Sequence, residues 1–116
     1  MEVTNAIESF FSNCQIALDE GDCTKATHFL DQALGRLNSL SSNHILWIYY
    51  YINRASVENN TGKFYDCLEF CKKAEAALPS KGYENLKAII LSRKGTAYYN
   101  IGDFVNATNF INSAIT

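Results

Sequence analysis

Four cysteines and two histidines are the side chains of this 116-residue sequence that most readily suggest chemistry. Cys67 and Cys71 stand one helical turn apart, but neither Cys-x-x-Cys nor zinc-finger spacing is present, and free cysteine otherwise behaves as a small buried hydrophobe. Cys14, Cys23, Cys67 and Cys71 all fall on apolar faces of the helices inferred below, so they are expected to pack as inert thiols. His28 and His44 lie at no recognisable motif spacing from an acid or nucleophile. No nucleophile elbow, phosphate loop or zinc-protease helix occurs. We therefore expect no catalytic residue, no metal site and no cofactor. Recognition is the chemistry left, and Asn53 and Arg93 suit it. An asparagine side chain donates to and accepts from a peptide backbone at once, and an arginine binds a carboxylate through two parallel hydrogen bonds. Trp47 and the run Tyr49-Tyr50-Tyr51 add aromatic surface nearby.

A repeat positions these residues. Gly21-Asp22-Cys23-Thr24-Lys25-Ala26, Gly62-Lys63-Phe64-Tyr65-Asp66-Cys67 and Gly102-Asp103-Phe104-Val105-Asn106-Ala107 align, and each continues with small or apolar residues at matching offsets: Leu30 and Ala33, Cys71 and Ala74, Ile111 and Ala114. Before each glycine, apolar or small residues recur at three- and four-residue steps, as in Val3, Ile7, Phe10, Cys14 and Ala17. The same period resumes after it, so each unit reads as helix, tight turn, helix. The glycine permits a left-handed close to the first helix; Asp22 and Asp103 can cap the second, whereas Lys63 cannot. Pro79 ends the outer helix of the second unit. The expected domain is 1–116, with hairpins over about 3–40, 43–79 and 82–116. Asn53 and Arg93 fall at equivalent places in consecutive units, which would set them in one row. On the helix from Ile45 to about Asn59, apolar residues occupy every side; Trp47 and Tyr51 are expected in the seam between hairpins, with Tyr49 and Ile52 facing away from it.

These units resemble tetratricopeptide repeats, whose signature is a Gly-polar-aromatic turn, small residues in both helices and a closing proline. The third unit carries the likeness through Gly95, Tyr98, Gly102, Phe104, Ala107 and Ala114. The second does so through Tyr51, Ala55, Gly62, Phe64, Ala74 and Pro79. The first keeps Gly21, Ala26 and Ala33 but has Cys14 at the small-residue site and Cys23 at the aromatic one. The usual period is ~34 residues, whereas these glycines lie farther apart. The additional residues fall around Asn38 to Asn43 and Ser80 to Asn85, as in the longer-period subgroup of kinesin light chains, spindle-orientation adaptors and peptide-pheromone receptors. The resemblance implies an all-α, right-handed solenoid of three hairpins whose first helices line a concave, peptide-binding groove. Carried over, that groove takes Glu8, Phe11, Ser12, Gln15 and Asp19 from the first unit. The second contributes Tyr49, Ile52, Asn53, Ser56 and Asn60, and the third Ile89, Ser92, Arg93, Thr96 and Asn100, with Tyr99 as a further apolar contact. The likeness makes Asn53 a grip on the ligand backbone and Arg93 part of a carboxylate clamp. Phe11, Gln15 and Ile89 depart from that clamp.

Composition narrows the partner. With 47% hydrophobic and 19% charged residues, the chain is an ordered globular one rather than a disordered one. A formal charge of −2, with the basic residues scattered, lacks the excess that a phosphate backbone demands, so nucleic acid is not an expected partner. Acids at the N-terminus and an apolar run only from Ile45 to Ile52 argue against a signal peptide and a membrane span. The expectation is a cytoplasmic module that binds a protein or peptide, without membrane or nucleic acid. Two other readings are a peptide-sensing part of a larger regulator and a self-assembling repeat. For the last, Phe110, Ile111, Ala114 and Ile115 of the final helix would leave an apolar side uncovered, and since solenoids normally end on a polar face, the expectation is either self-association there or a longer repeat protein of which this is a part.

Overall fold

The computed structural model describes residues 2–115, without the side chains of Glu2 and Ile115, and its described residues form six α-helices. These are α1 (Glu2–Asp19), α2 (Cys23–Leu37), α3 (Leu46–Asn60), α4 (Phe64–Ala77), α5 (Glu84–Ile101) and α6 (Phe104–Ile115). One turn, used three times, folds them into hairpins. At each turn glycine, φ is positive, up to 97° at Gly102, a conformation that costs other residues steric strain. The residue after the glycine reaches back five positions: Asp22 N–H to the Ala17 carbonyl at 2.8 Å, Lys63 to Glu58 at 2.8 Å, Asp103 to Tyr98 at 2.9 Å. This is the Schellman close, which satisfies carbonyls that the helix end would otherwise orphan.

The start of each outer helix follows the side chain available. Asp22 Oδ1 accepts from Lys25 N–H at 3.0 Å and Asp103 Oδ1 from Asn106 N–H at 3.2 Å, while Lys63 makes no side-chain cap. Leu78 turns extended at ψ 135° ahead of Pro79, so α4 stops at Ala77. The residues that lengthen the repeat lie in the connections between α2 and α3 and between α4 and α5, except for Glu84 and Asn85, which begin α5.

Within hairpins α1 packs on α2, α3 on α4 and α5 on α6; between them, α2 packs on α3 and α4 on α5. The odd helices also touch in sequence, α1 with α3 and α3 with α5, whereas α2, α4 and α6 do not meet one another among the described residues. A stack whose odd layer is drawn together and whose even layer is spread curves toward the odd helices. The overall extents are 43 × 34 × 19 Å.

The central helix serves two cores, which explains its lack of a polar face. Leu46, Tyr50 and Val57 join Ile7, Leu30 and Leu37 in the core of the first hairpin; Ile48, Ile52 and Ala55 join Cys67, Cys71, Leu86 and Ile90 in the second. Each leucine closed off in this way contributes about 1.5–3 kcal/mol. Trp47 and Tyr51 pack half-buried against these cores, and the Tyr51 ring stacks 6.5 Å from that of Phe70. One buried charge accompanies them: Glu58, 6% exposed, pairs with Arg54 Nε at 3.2 Å. Arg54 also approaches Asp31 of α2 at 3.6 Å, so it ties α3 to the preceding hairpin.

Cys14, Cys67 and Cys71 are buried, and all four cysteines are free thiols. Burial pushes the Cys14 thiol up to about 11. Cys71 is held well above the ordinary thiol range, first by its hydrogen bond with Cys67 and then by burial. Both are therefore protonated at neutral pH and pack as small apolar side chains. No helix among the described residues is long and apolar enough to cross a membrane.

Candidate functional site: a cleft across the inner helices

Three residues at one register, six positions before the turn glycine of their hairpin, come together: Gln15 on α1, Ser56 on α3 and Thr96 on α5. They line a cleft of about 220 Å³ that crosses all three inner helices. Their meeting follows from the sequential packing of the odd helices, which places equal registers side by side. Leu18, Asp19, Asn59, Asn60 and Arg93 complete the lining.

Hydrogen bonds fix the walls. Arg93 donates through Nε to Ser56 Oγ at 2.8 Å, across the α5–α3 boundary, and Asn100 Nδ2 donates to Asn59 Oδ1 at 3.0 Å across the same boundary. On α1, Gln15 Nε2 donates to Asp19 Oδ1 at 3.0 Å. The Arg93 bond holds a long side chain in place without using the terminal guanidinium nitrogens, the pair that binds carboxylates side by side. Asp19 at the α1 end and Arg93 at the α5 end give the cleft opposite charges at its two walls. Amides and hydroxyls lie between them.

A second cleft, of about 440 Å³, lies toward the other end of the inner helices, between α1 and the start of α3. Phe11 and Tyr49 line it with Glu8, Ser12, Ile45 and Leu46, and its character is more apolar. The inner surface therefore has a polar end and an apolar end.

The residues named from the sequence divide accordingly. Gln15, Ser56, Arg93 and Thr96 meet in the polar cleft, Phe11 and Tyr49 in the apolar one. Asn100 stands beside the first as the partner of Asn59. Ile52 does not face the groove. It is 9% exposed and belongs to the second core, because the stripe of α3 that carries it is covered by α4 and α5. Asn53 lines neither cleft; its Nδ2 donates to the Tyr49 carbonyl of its own helix at 2.8 Å. Arg93 shares its register with Asn53 but reaches the cleft by its length and its bond to Ser56. Tyr99 is 61% exposed, but its ring meets Phe104 of α6 at 5.3 Å, outside both clefts.

Sequence reasoning missed Leu18 and Asn59 in the polar cleft and Ile45 and Leu46 in the apolar one. Leu18 and Asn59 share a register, three residues before the turn glycine, and that equivalence was available as a signal. The proximity of the α3 start to α1 was not. Of the proposed association residues, Phe110 is half-buried and its ring stacks on Tyr98 at 5.3 Å, Ala114 is half-buried and Ile111 is 39% exposed. The side chain of Ile115 lies outside the described residues. Compared with protein families, curated proteins and solved structures, the chain gives no match, so its functional reading rests on the arrangement of these side chains.

Proposed function

We propose that the chain is a tetratricopeptide-like binding module that holds an extended peptide, or an extended segment of a protein, along its inner helices. The observation that carries this reading is the alignment of Gln15, Ser56 and Thr96, one register from each hairpin, in a single cleft. A repeated register offers hydrogen-bonding groups at a repeated spacing, and an extended backbone is the ligand whose own groups repeat. The polar cleft, with the Arg93 guanidinium held in place, suits backbone amides and a carboxylate; the cleft of Phe11 and Tyr49 suits an apolar side chain. The preferred ligand is then a peptide that combines an acidic or C-terminal carboxylate with an apolar anchor. Free, buried thiols fit a reducing compartment, which supports a cytoplasmic site of action.

Selection of peptides from a displayed random library on the full chain tests this. Peptides enriched by the wild type should lose about 1–3 kcal/mol of binding to Arg93→Ala, the scale of a lost hydrogen bond to a charged group. They should also weaken toward Gln15→Ala and Ser56→Ala, and change little with Asn53→Ala. Selected peptides that bind Arg93→Ala and a Gln15→Ala/Ser56→Ala double variant as tightly as the wild type, with helical circular dichroism intact, would overturn the reading.

A further inference from the structure

Charge is distributed unevenly over the inner helices. α1 carries three acidic residues and no basic one, α3 carries Arg54 and Glu58, and α5 carries three basic residues and one acidic. The charges that tie helices together are paired within the chain, Arg54 with Glu58 and Asp31, Lys94 with Glu75. Glu8, Asp19 and Arg93, which line the two inner clefts, form no ion pair among the described residues.

Asp19 stands where its own helix disfavours it. It is the last residue of α1, at the end where the aligned peptide dipoles are negative, Glu20 follows it, and no basic residue lies in that last turn. α3 and α5 also end without a base in the last turn, and the polar cleft lies toward these same ends. Asp19 Oδ1 accepts from the Gln15 amide, which is neutral and leaves the charge uncompensated. The α1 wall therefore favours a cation. At the opposite wall the sign reverses: Arg93 is anchored through Nε on the neutral Ser56 hydroxyl, so its positive charge is uncompensated as well.

We propose that the segment held along the inner helices carries both charges, a lysine or arginine on Asp19 and a carboxylate, from a side chain or a chain end, on Arg93. This rests on the peptide-binding reading of the same groove and narrows its ligand to a mixed-charge segment. Packed helices lie ~8–10 Å apart and an extended chain advances ~3.3 Å per residue. Arg93 reaches α3, one helix from Asp19, so the ligand's two charges stand about two or three residues apart, with the carboxylate toward the third hairpin. A segment acidic throughout is repelled by Asp19 and, at the apolar end, by Glu8; one basic throughout is repelled by Arg93. Selectivity then comes from what the groove rejects as much as from what it holds.

Peptides selected on the full chain from a random library displayed with free C-termini test this, resynthesised with free and with amidated ends to tell a chain end from an acidic side chain. Enriched sequences should place a lysine or arginine two or three positions from an acidic residue or from the free carboxylate. Asp19→Asn should weaken them about tenfold in fluorescence anisotropy. Replacing the peptide's lysine by norleucine should cost the same on the wild type and nothing further on Asp19→Asn, and it reads the contact without altering the protein. Arg93→Gln should behave likewise toward a peptide whose carboxylate is replaced by an amide. Peptides whose affinity ignores both Gln15→Ala and Ser56→Ala bind elsewhere, and would overturn the groove reading together with this inference. Peptides that depend on Gln15 and Ser56 but are uniformly acidic, carry no cation, or bind Asp19→Asn as tightly as the wild type would overturn this inference and leave the groove reading standing.

Discussion

Leu30 in the first hairpin and Ile111 in the last occupy one register, carry side chains of the same size, and differ in surroundings. Leu30 is fully buried because α1 lies on one side of it and α3 follows on the other; Ile111 has α5 alone. On the first hairpin, the registers that seat the later hairpins on their predecessors carry Asn5 and Ser9, both exposed, where the later hairpins have leucine, tyrosine or isoleucine. In a stack of hairpins burial is thus conferred by the neighbour rather than by the side chain, as expected where each unit contacts only those beside it. Among the described residues, the α1 edge of the stack is polar at these registers and the α6 edge apolar.

The largest effect that would break this comparison is in the core. Leu30→Ala should cost about 2–5 kcal/mol in chemical denaturation at low protein concentration, since it leaves a cavity closed on all sides. Ile111→Ala should cost roughly half of that or less, because part of its surface is already in water. Equal losses would mean that Ile111 is as well packed as Leu30.

Next in size is the close approach of α5 and α6. A Cβ added at Gly95 would stand 2.6 Å from Ile111 Cγ1 and 3.2 Å from the Ala107 carbonyl oxygen. Gly95→Ala should therefore destabilise by about 1–3 kcal/mol through overpacking, in spite of alanine's better helix propensity. A stabilised variant would show that the last hairpin can yield where the first, with Cys14 at the same register, is filled.

The turns give a smaller and reciprocal pair. Asp22→Ala should cost about 1 kcal/mol by removing the acceptor of Lys25 N–H, and Lys63→Asp should add about 0.5–2 kcal/mol by supplying the cap that α4 lacks. Thermal melts of the two variants should move in opposite directions. Smallest is Gly35→Ala. Gly35 lies within α2 with open space around it, and Ala76 stands at the same register of α4. A gain of about 0.5–1 kcal/mol in denaturant midpoints is expected from the lower entropy of the unfolded chain. A loss there would reveal a contact at the outer face of α2 that the free backbone does not suggest.

Much of the fold was legible in the residues. The repeated glycine, the three- and four-residue apolar steps and the capping aspartates are local signals, and the helices, their turns and their pairing in sequence follow from them. The candidate site was legible only in part. Gln15, Ser56, Arg93 and Thr96 were named together through the resemblance; Gln15, Ser56 and Thr96 share one register, and the packing of the inner helices sets that register side by side. Ile52 was misplaced because a helix apolar all round gives no hint of which stripe faces which neighbour. For Asn53 the periodicity gave no hint of the local bond its amide makes to the Tyr49 carbonyl of its own helix, a bond that competes with any ligand.

What the sequence determined by itself is what depends on near neighbours along the chain. This includes the six helices, the three left-handed glycine turns, the caps at Asp22 and Asp103, the missing cap at Lys63, and the absence of charge from Phe104 to Ile115. Tertiary structure decided which sides of those helices meet. It split α3 between two cores, buried Ile52, drew Arg93 onto Ser56, brought Gln15 and Thr96 to either side of that pair, and left Ile111 and Thr108 without the cover given to Leu30 and Leu68. Periodicity specifies that a helix has an apolar stripe, but the angle at which the next hairpin crosses it is set by the fit of side chains distant in sequence.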